Sequence, residues 1–106
     1  MNTIYNNEIT ISVEDRDALS VFMYGLPGVI SRKLTWNDLM PVVDRIEVLG
    51  YYPHMQYLRS EKDKRHFFNI TDQNHSAITS QLAETKIEAV YKAVLEFINY
   101  YNQQSK

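Results

Sequence analysis

The closing stretch LAETKIEAVYKAVLEFINYYN, Leu82 to Asn102, limits the possible folds more than any other part of the chain. Ile87, Val90, Tyr91, Val94, Ile98 and Tyr101 recur at intervals of three and four, which places them on one stripe of a long amphipathic helix. Burying six such side chains contributes roughly 1.5–3 kcal/mol each, so the stripe alone supplies ~10 kcal/mol before entropy is subtracted. A helix this greasy on one side needs a partner surface, and the rest of the chain must provide it.

With 106 residues the chain has the length of a single domain, with residues 1–7 expected to fray and 103–106 to form a tail. At this size folding buries roughly 65% of the unfolded surface, enough for one core. There are no cysteines, so disulfides, thiolate metal sites and a cysteine nucleophile are excluded. The formal charge of −2, with both signs interleaved, argues against bulk electrostatic binding to nucleic acid or membranes. No run of 18 consecutive apolar residues exists, and MNTIYNNEITISVED has neither the basic leader nor the apolar run of a signal peptide. A soluble cytoplasmic protein is the expectation.

Ile9, Ile11 and Val13 alternate with polar residues and could form a strand, while Ser12-Val13-Glu14-Asp15 resembles a helix cap. Leu19, Phe22, Met23 and Leu26 continue the helical spacing, Gly25 stops it and Pro27 prevents its resumption, so a helix is predicted from about 13 to 24. Residues 28–34 are ambiguous between an edge strand and a loop anchored by Val29 and Ile30. Thr35-Trp36-Asn37-Asp38 signals a second helix through Leu39, Met40, Val43, Ile46 and Leu49, ended by Gly50. Pro41 inside it predicts a kink, since an interior proline costs ~3 kcal/mol. Trp36, the bulkiest side chain, is expected to anchor this helix on a hairpin formed by residues 54–71.

In that hairpin HMQYLRS and RHFFNIT are the strands and EKDK the charged turn. If Ser60 pairs with Arg65, Met55 faces Ile70, Tyr57 faces Phe68 and Arg59 faces His66 on the more apolar side. Leu58 and Phe67 leave apolar surface on the second side, to be covered by helix 13–24, a neighbouring strand or another chain. Residues 72–76 read as loop, with the long helix starting near Ser80. A lone hairpin is marginal in water, so it needs the two later helices packed across it, and whether 8–12 or 28–33 adds a third strand is left open. The fold class is α+β: three helices packed around a small antiparallel sheet centred on the hairpin, in the order α-α-β-β-α.

The run TWNDLMPVVDRIEVLG, the hairpin SEKDKRHFFNIT and the closing KIEAVYKAVLEFINYYN resemble small proteins of gut Bacteroidetes and their prophages, which carry a Trp-x-x-Leu-Met-Pro-Val-Val helix and a closing Lys-Ile-Glu-Ala-Val-Tyr-Lys-Ala-Val. More distantly, the order of elements is similar to the phage ABA sandwich domain. The resemblance covers about residues 13–102. It implies helices around a small antiparallel sheet and a phage or mobile-element setting, and it brings no catalytic residues.

His54, His66 and His75 stand far apart, with His54 and His66 on opposite sides of the hairpin, so no shared metal is expected. No Gly-x-Ser-x-Gly and no glycine-rich phosphate loop is present, so neither a cofactor nor a catalytic set is expected. Glu84 with Glu88, and Asp44 with Glu47, read as solvated helix faces. Arg59, Lys62, Lys64 and Arg65 against Glu61 and Asp63 leave the hairpin tip at +2, four positive minus two negative, with Tyr57 and Phe67 near enough to stack. Such a tip could hold nucleic acid, yet charged tips also prevent edge-to-edge aggregation, and a nucleic-acid partner is the lesser reading. Neighbouring residues diverge, so Tyr100 and one of Tyr51 and Tyr52 are expected to be exposed. Tyr51, Tyr52 and Tyr100, with Arg59, Lys62, Lys64 and Arg65, form the candidate interaction surface, for a second copy or another protein. The expected function is that of a non-enzymatic accessory or interaction domain, with a nucleic-acid-binding module as the first alternative and a small enzyme as the second.

Overall fold

The computed structural model describes residues 8–59 and 64–104. Strand β1 (Glu8–Thr10) leads into α1 (Val13–Tyr24), β2 (Lys33–Thr35) into α2 (Trp36–Val48), and β3 (Tyr52–Arg59), β4 (Lys64–Thr71) and β5 (Ala77–Ala83) precede α3 (Lys86–Gln104). The chain is thus α+β with three helices, but it has two antiparallel sheets, β1-β2 and β3-β4-β5, in place of the single sheet in the order α-α-β-β-α.

The first two helices begin and end where local chemistry says they should. The Ser12 hydroxyl accepts the Asp15 N–H at 3.1 Å, and Gly25 closes α1 at φ 75°, the left-handed conformation that glycine adopts without steric cost. The Asp38 carboxylate accepts from both the Thr35 N–H (3.0 Å) and the Thr35 hydroxyl (3.1 Å) at the start of α2. Helix α2 then runs unbroken through Pro41, which lies on its exposed side, where water can reach the carbonyl that the missing N–H leaves unbonded. Trp36 is half-buried against the core.

The α1–α2 connection is held from inside. Ser20, fully buried, donates its hydroxyl to the Arg16 carbonyl (2.8 Å) and accepts the Ile30 N–H (2.9 Å). This seats Ile30 in the core, leaves Val29 outside, and delivers the chain to β2. There Ile9 pairs with Leu34, while the Ile11 N–H donates to the Arg32 carbonyl at 2.9 Å. Neither of the stretches left open as a third hairpin strand, 8–12 or 28–33, joins that sheet, since β1 and β2 pair with each other.

The third strand of the larger sheet is β5, which runs from just past the expected loop 72–76 into residues expected as the first turn of the long helix. Its pairing with β4 (Phe67 with Leu82, Ile70 with Thr79) makes β4 the central strand. The long helix accordingly starts at Lys86, not near Ser80, and continues to Gln104, two residues past Asn102. The hairpin register also differs by two residues: Arg59 pairs with Lys64, Leu58 with Arg65, Tyr57 with His66, Met55 with Phe68 and Pro53 with Ile70. Lys64, expected in the turn, is thus in β4, and the rest of the expected turn, residues 61–63, lies outside the described residues. A two-residue shift preserves alternation, so Met55, Phe67, Phe68 and Ile70 keep their sides of the sheet although their partners change.

On the inner side, α3 lies over β4 and β5 and α2 reaches β3, burying Phe68, Ile70, Thr79 and Ala83. The Thr79 hydroxyl donates to the Glu96 carboxylate, tying β5 to α3. Met55, expected beneath the closing helix, is 39% exposed, because β5 moves the covered region one strand away from β3. α1 packs on α3 and α2 rather than over the second side of the sheet. Phe67 and Leu82 sit there side by side, half-buried.

A tyrosine-lined groove at the helix C-terminal pole

The three helices run in the same sense. At their starts, the Tyr91 hydroxyl of α3 donates to the Asp15 carboxylate of α1. Toward their ends, Phe22 of α1 meets Phe97 and Tyr101 of α3 edge-on, with ring centroids 6.3 and 6.0 Å apart. The last turn of α2 joins them there, its Arg45 guanidinium 5.2 Å from the centre of the Phe22 ring. Tyr51, just past α2, packs edge-on against Phe97 at 4.8 Å and against Tyr100 at 6.4 Å. The C-terminal ends of all three helices therefore share one pole.

Phe97 is the centre of that pole. It is fully buried and touches four rings, those of Phe22, Tyr51, Tyr100 and Tyr101. Reading the stripe from Ile87 misses it, because the buried side of α3 is broader and turned toward Ala89, Ala93 and Phe97. Those residues repeat every four positions, which was the signal to follow. α3 is wedged between the sheet and the other two helices, so a wide face is buried and Tyr91 falls at its margin.

Beside this cluster lies a groove of about 270 Å³ lined by Leu49, Gly50, Tyr51, Asp72, Gln73, Asn74 and Tyr100. Two of its walls are ends of α2 and α3; the third is the β4–β5 turn. That turn is built on Asp72, whose Oδ1 accepts the N–H groups of Asn74 (2.8 Å) and Ser76 (3.0 Å). The backbone closes it through Asp72 N–H to Ser76 carbonyl (2.9 Å) and His75 N–H to Asp72 carbonyl (3.0 Å). His75 takes φ 64°, where glycine is commoner. The facing turn closes tightly as well: a methyl group added at Gly50, itself at φ 99°, would sit 3.2 Å from Gln73 Nε2. Burial pushes the Tyr51 hydroxyl above its ordinary value, helped by the neighbouring Tyr100 and Tyr101, a hydrogen bond with Tyr100, and Asp72. Tyr91 is raised too, by burial and then by its bond to Asp15 and that residue's charge.

The groove brings together Tyr51 and Tyr100 from the expected interaction surface. Tyr52 stands nearby at the start of β3, 48% exposed, as one member of the 51–52 pair had to be. Tyr100 was expected in the open and is half-buried, because Tyr51 and Phe97 pack against it. Arg59 and Lys64 pair at the far end of the hairpin, and Arg65 opposite Leu58, well along the strands from the groove; Lys62 lies outside the described residues. Asp72, Gln73 and Asn74 were not singled out in sequence, though Asp-x-Asn before a new strand is a turn signal.

A second hollow of about 300 Å³ lies at the opposite pole, lined by Glu8, Ile9, Glu84, Thr85, Ile87 and Glu88. Glu84 precedes α3, so it does not share a helix face with Glu88 as expected. Among the described residues no three His, Cys, Asp or Glu side chains converge to hold a metal ion, and no helix is long and apolar enough to cross a membrane. Comparison with family models, curated proteins and solved structures gave no match.

Proposed function

We propose that the chain is a non-enzymatic interaction domain, an accessory protein of phage or mobile-element type acting in the cytoplasm, that docks a protein partner at the helix C-terminal pole. The carrying observation is that, of the nine exposed large apolar side chains among the described residues, five lie at the helix ends of this pole, the other four being Val13, Val29, Met40 and Met55. Val21 and Tyr24 end α1 and Leu26 follows it, Val48 ends α2, and Tyr52 opens β3, with exposures from 48% to 84%. All five lie at or just past the ends of elements that finish or begin at this pole, beside the groove and not in its lining. Single exposed apolar residues are ordinary, but a group of this size around a groove with aromatic walls is what a docking surface requires. The phage or mobile-element setting is supported by the Trp36–Val43 and Lys86–Val94 motifs.

The test is site-directed photo-crosslinking in the cell in which the chain is naturally made, with a photoreactive phenylalanine at Val48, Tyr52 or, as control, Glu84 at the other pole. Discrete adducts from the first two sites and none from Glu84 are expected; an adduct of twice the chain's mass would identify a second copy as the partner. Silence at Val48 and Tyr52, or equal adducts at all three sites, would overturn the reading.

A further inference from the structure

The charges around the groove are one-sided. A helix carries partial negative charge at its C-terminus, and a basic residue in the last turn usually offsets it. α1 and α3 have no basic residue in their last turns. α2 has Arg45, whose guanidinium lies over the Phe22 ring and does not line the groove. The one ionisable carboxylate of the groove, Asp72, adds negative charge, and no Lys or Arg is among the described lining residues. Opposite, acids occupy the first turns of all three helices: Glu14 and Asp15, Asp38, and Glu88. Among the described residues, the N-terminal ends are therefore compensated and the C-terminal ends of α1 and α3 are not.

From this we infer that the groove receives a cationic side chain of the partner, namely an arginine guanidinium, lodged beside the Tyr51 and Tyr100 rings and paired with Asp72. The inference deepens, and rests on, the reading of this pole as a docking surface. Three features select the chemistry. Tyrosine rings present an electron-rich face on which a planar guanidinium stacks. Asp72 Oδ1 is held by two backbone N–H groups, which fixes the carboxylate's orientation in the groove wall. The side-chain amides of Gln73 and Asn74, both exposed at the mouth, supply acceptors for the remaining guanidinium N–H groups. The chain already makes a contact of the same kind a short distance away, between Arg45 and Phe22.

The probe is the blocked tripeptide acetyl-Gly-Arg-Gly-amide, titrated into the full isotopically labelled chain and followed by backbone amide shifts. Its control is the same peptide with citrulline, equal in shape and without charge. Saturable shifts at Gly50, Tyr51, Asp72, Gln73, Asn74 and Tyr100 are expected, with the citrulline peptide weaker by about tenfold or more and the arginine peptide weakened by added salt. The Asp72→Asn variant keeps a carbonyl oxygen for the Asn74 and Ser76 N–H groups, so the turn persists while the charge goes. It should bind the arginine peptide several-fold more weakly at an unchanged melting temperature. Equal binding of both peptides, full binding by Asp72→Asn, or shifts confined to other surfaces would overturn the inference. The citrulline comparison decides even if Asp72→Asn fails to fold. Cross-links at Val48 and Tyr52 combined with peptide indifference would sink the arginine assignment and leave the docking surface standing.

Discussion

Phe97 illustrates how one side chain can hold two functions of a structure together. It is fully buried, and four aromatic rings meet it from α1, the α2–β3 junction and α3 itself, so it is both the centre of the core at this pole and the floor beside the groove. Phe97→Ala should destabilise the chain by ~3–5 kcal/mol in urea unfolding, from lost transfer energy plus the cavity left behind. His66 is a residue of a different kind. Burial, and then the nearby Lys86 charge, holds its imidazole below the ordinary value of 6.5. As pH falls through that value the unfolded chain takes up the proton before the folded one, so the stability present above it is lost on acidification. His66→Gln should flatten this part of the pH–stability curve, measured by thermal unfolding on either side of the ordinary histidine value; an unchanged slope would mean that other groups set it. Phe97 was not picked out in sequence, since it falls between two apolar repeats, and His66 was weighed only as a metal ligand, because its burial and the nearby Lys86 at the start of α3 follow from the tertiary fold.

At the scale of elements, the helices and the hairpin were legible and β5 was not. Val13–Tyr24 and Trp36–Val48 carry their own caps and stops, and Met55, Phe67, Phe68 and Ile70 were assigned to the correct side because a two-residue slip conserves parity. β5 hides its identity by pointing Thr79, Gln81 and Ala83 inward and Ser80 and Leu82 outward, which weakens the alternation a strand is recognised by. The turn before it uses His75 at a left-handed position instead of the glycine that would announce a hairpin. With Leu82 and Ala83 available to the helical repeat, the long helix was extended backward over the strand. The true start has a local signature, Thr85-Lys86-Ile87-Glu88: the Thr85 hydroxyl accepts the Glu88 N–H at 3.3 Å and its carbonyl accepts the Ala89 N–H at 3.2 Å. Thr85→Ala should therefore cost about 1 kcal/mol by denaturant unfolding, whereas a helix beginning near Ser80 would put Thr85 mid-helix and make the change neutral or stabilising.

At the scale of the whole molecule, the organising fact is that three helices share a direction. Among the described residues, acids occupy the first helical turns at the shared N-terminal end, while the tyrosine cluster, five of the exposed apolar side chains and the uncompensated carbonyls of α1 and α3 lie at the other. Each helix's charge pattern could be read from sequence, but their common sense depends on contacts between residues as far apart as Asp15 and Tyr91, which local periodicity does not encode. For the same reason Tyr51 and Tyr100 could be nominated for a surface, while their meeting in one groove with Asp72 could not. The measurement that bears most directly on this arrangement is a nuclear Overhauser spectrum of the aromatic rings in solution. Cross-peaks from Tyr51 to both Phe97 and Tyr100, and from Phe22 to Phe97, are predicted, since those rings lie 4.8 to 6.4 Å apart centre to centre. A Tyr51 ring with no contact to Phe97 or Tyr100 would mean that the helices do not end together, and the groove with its proposed occupant would have no foundation.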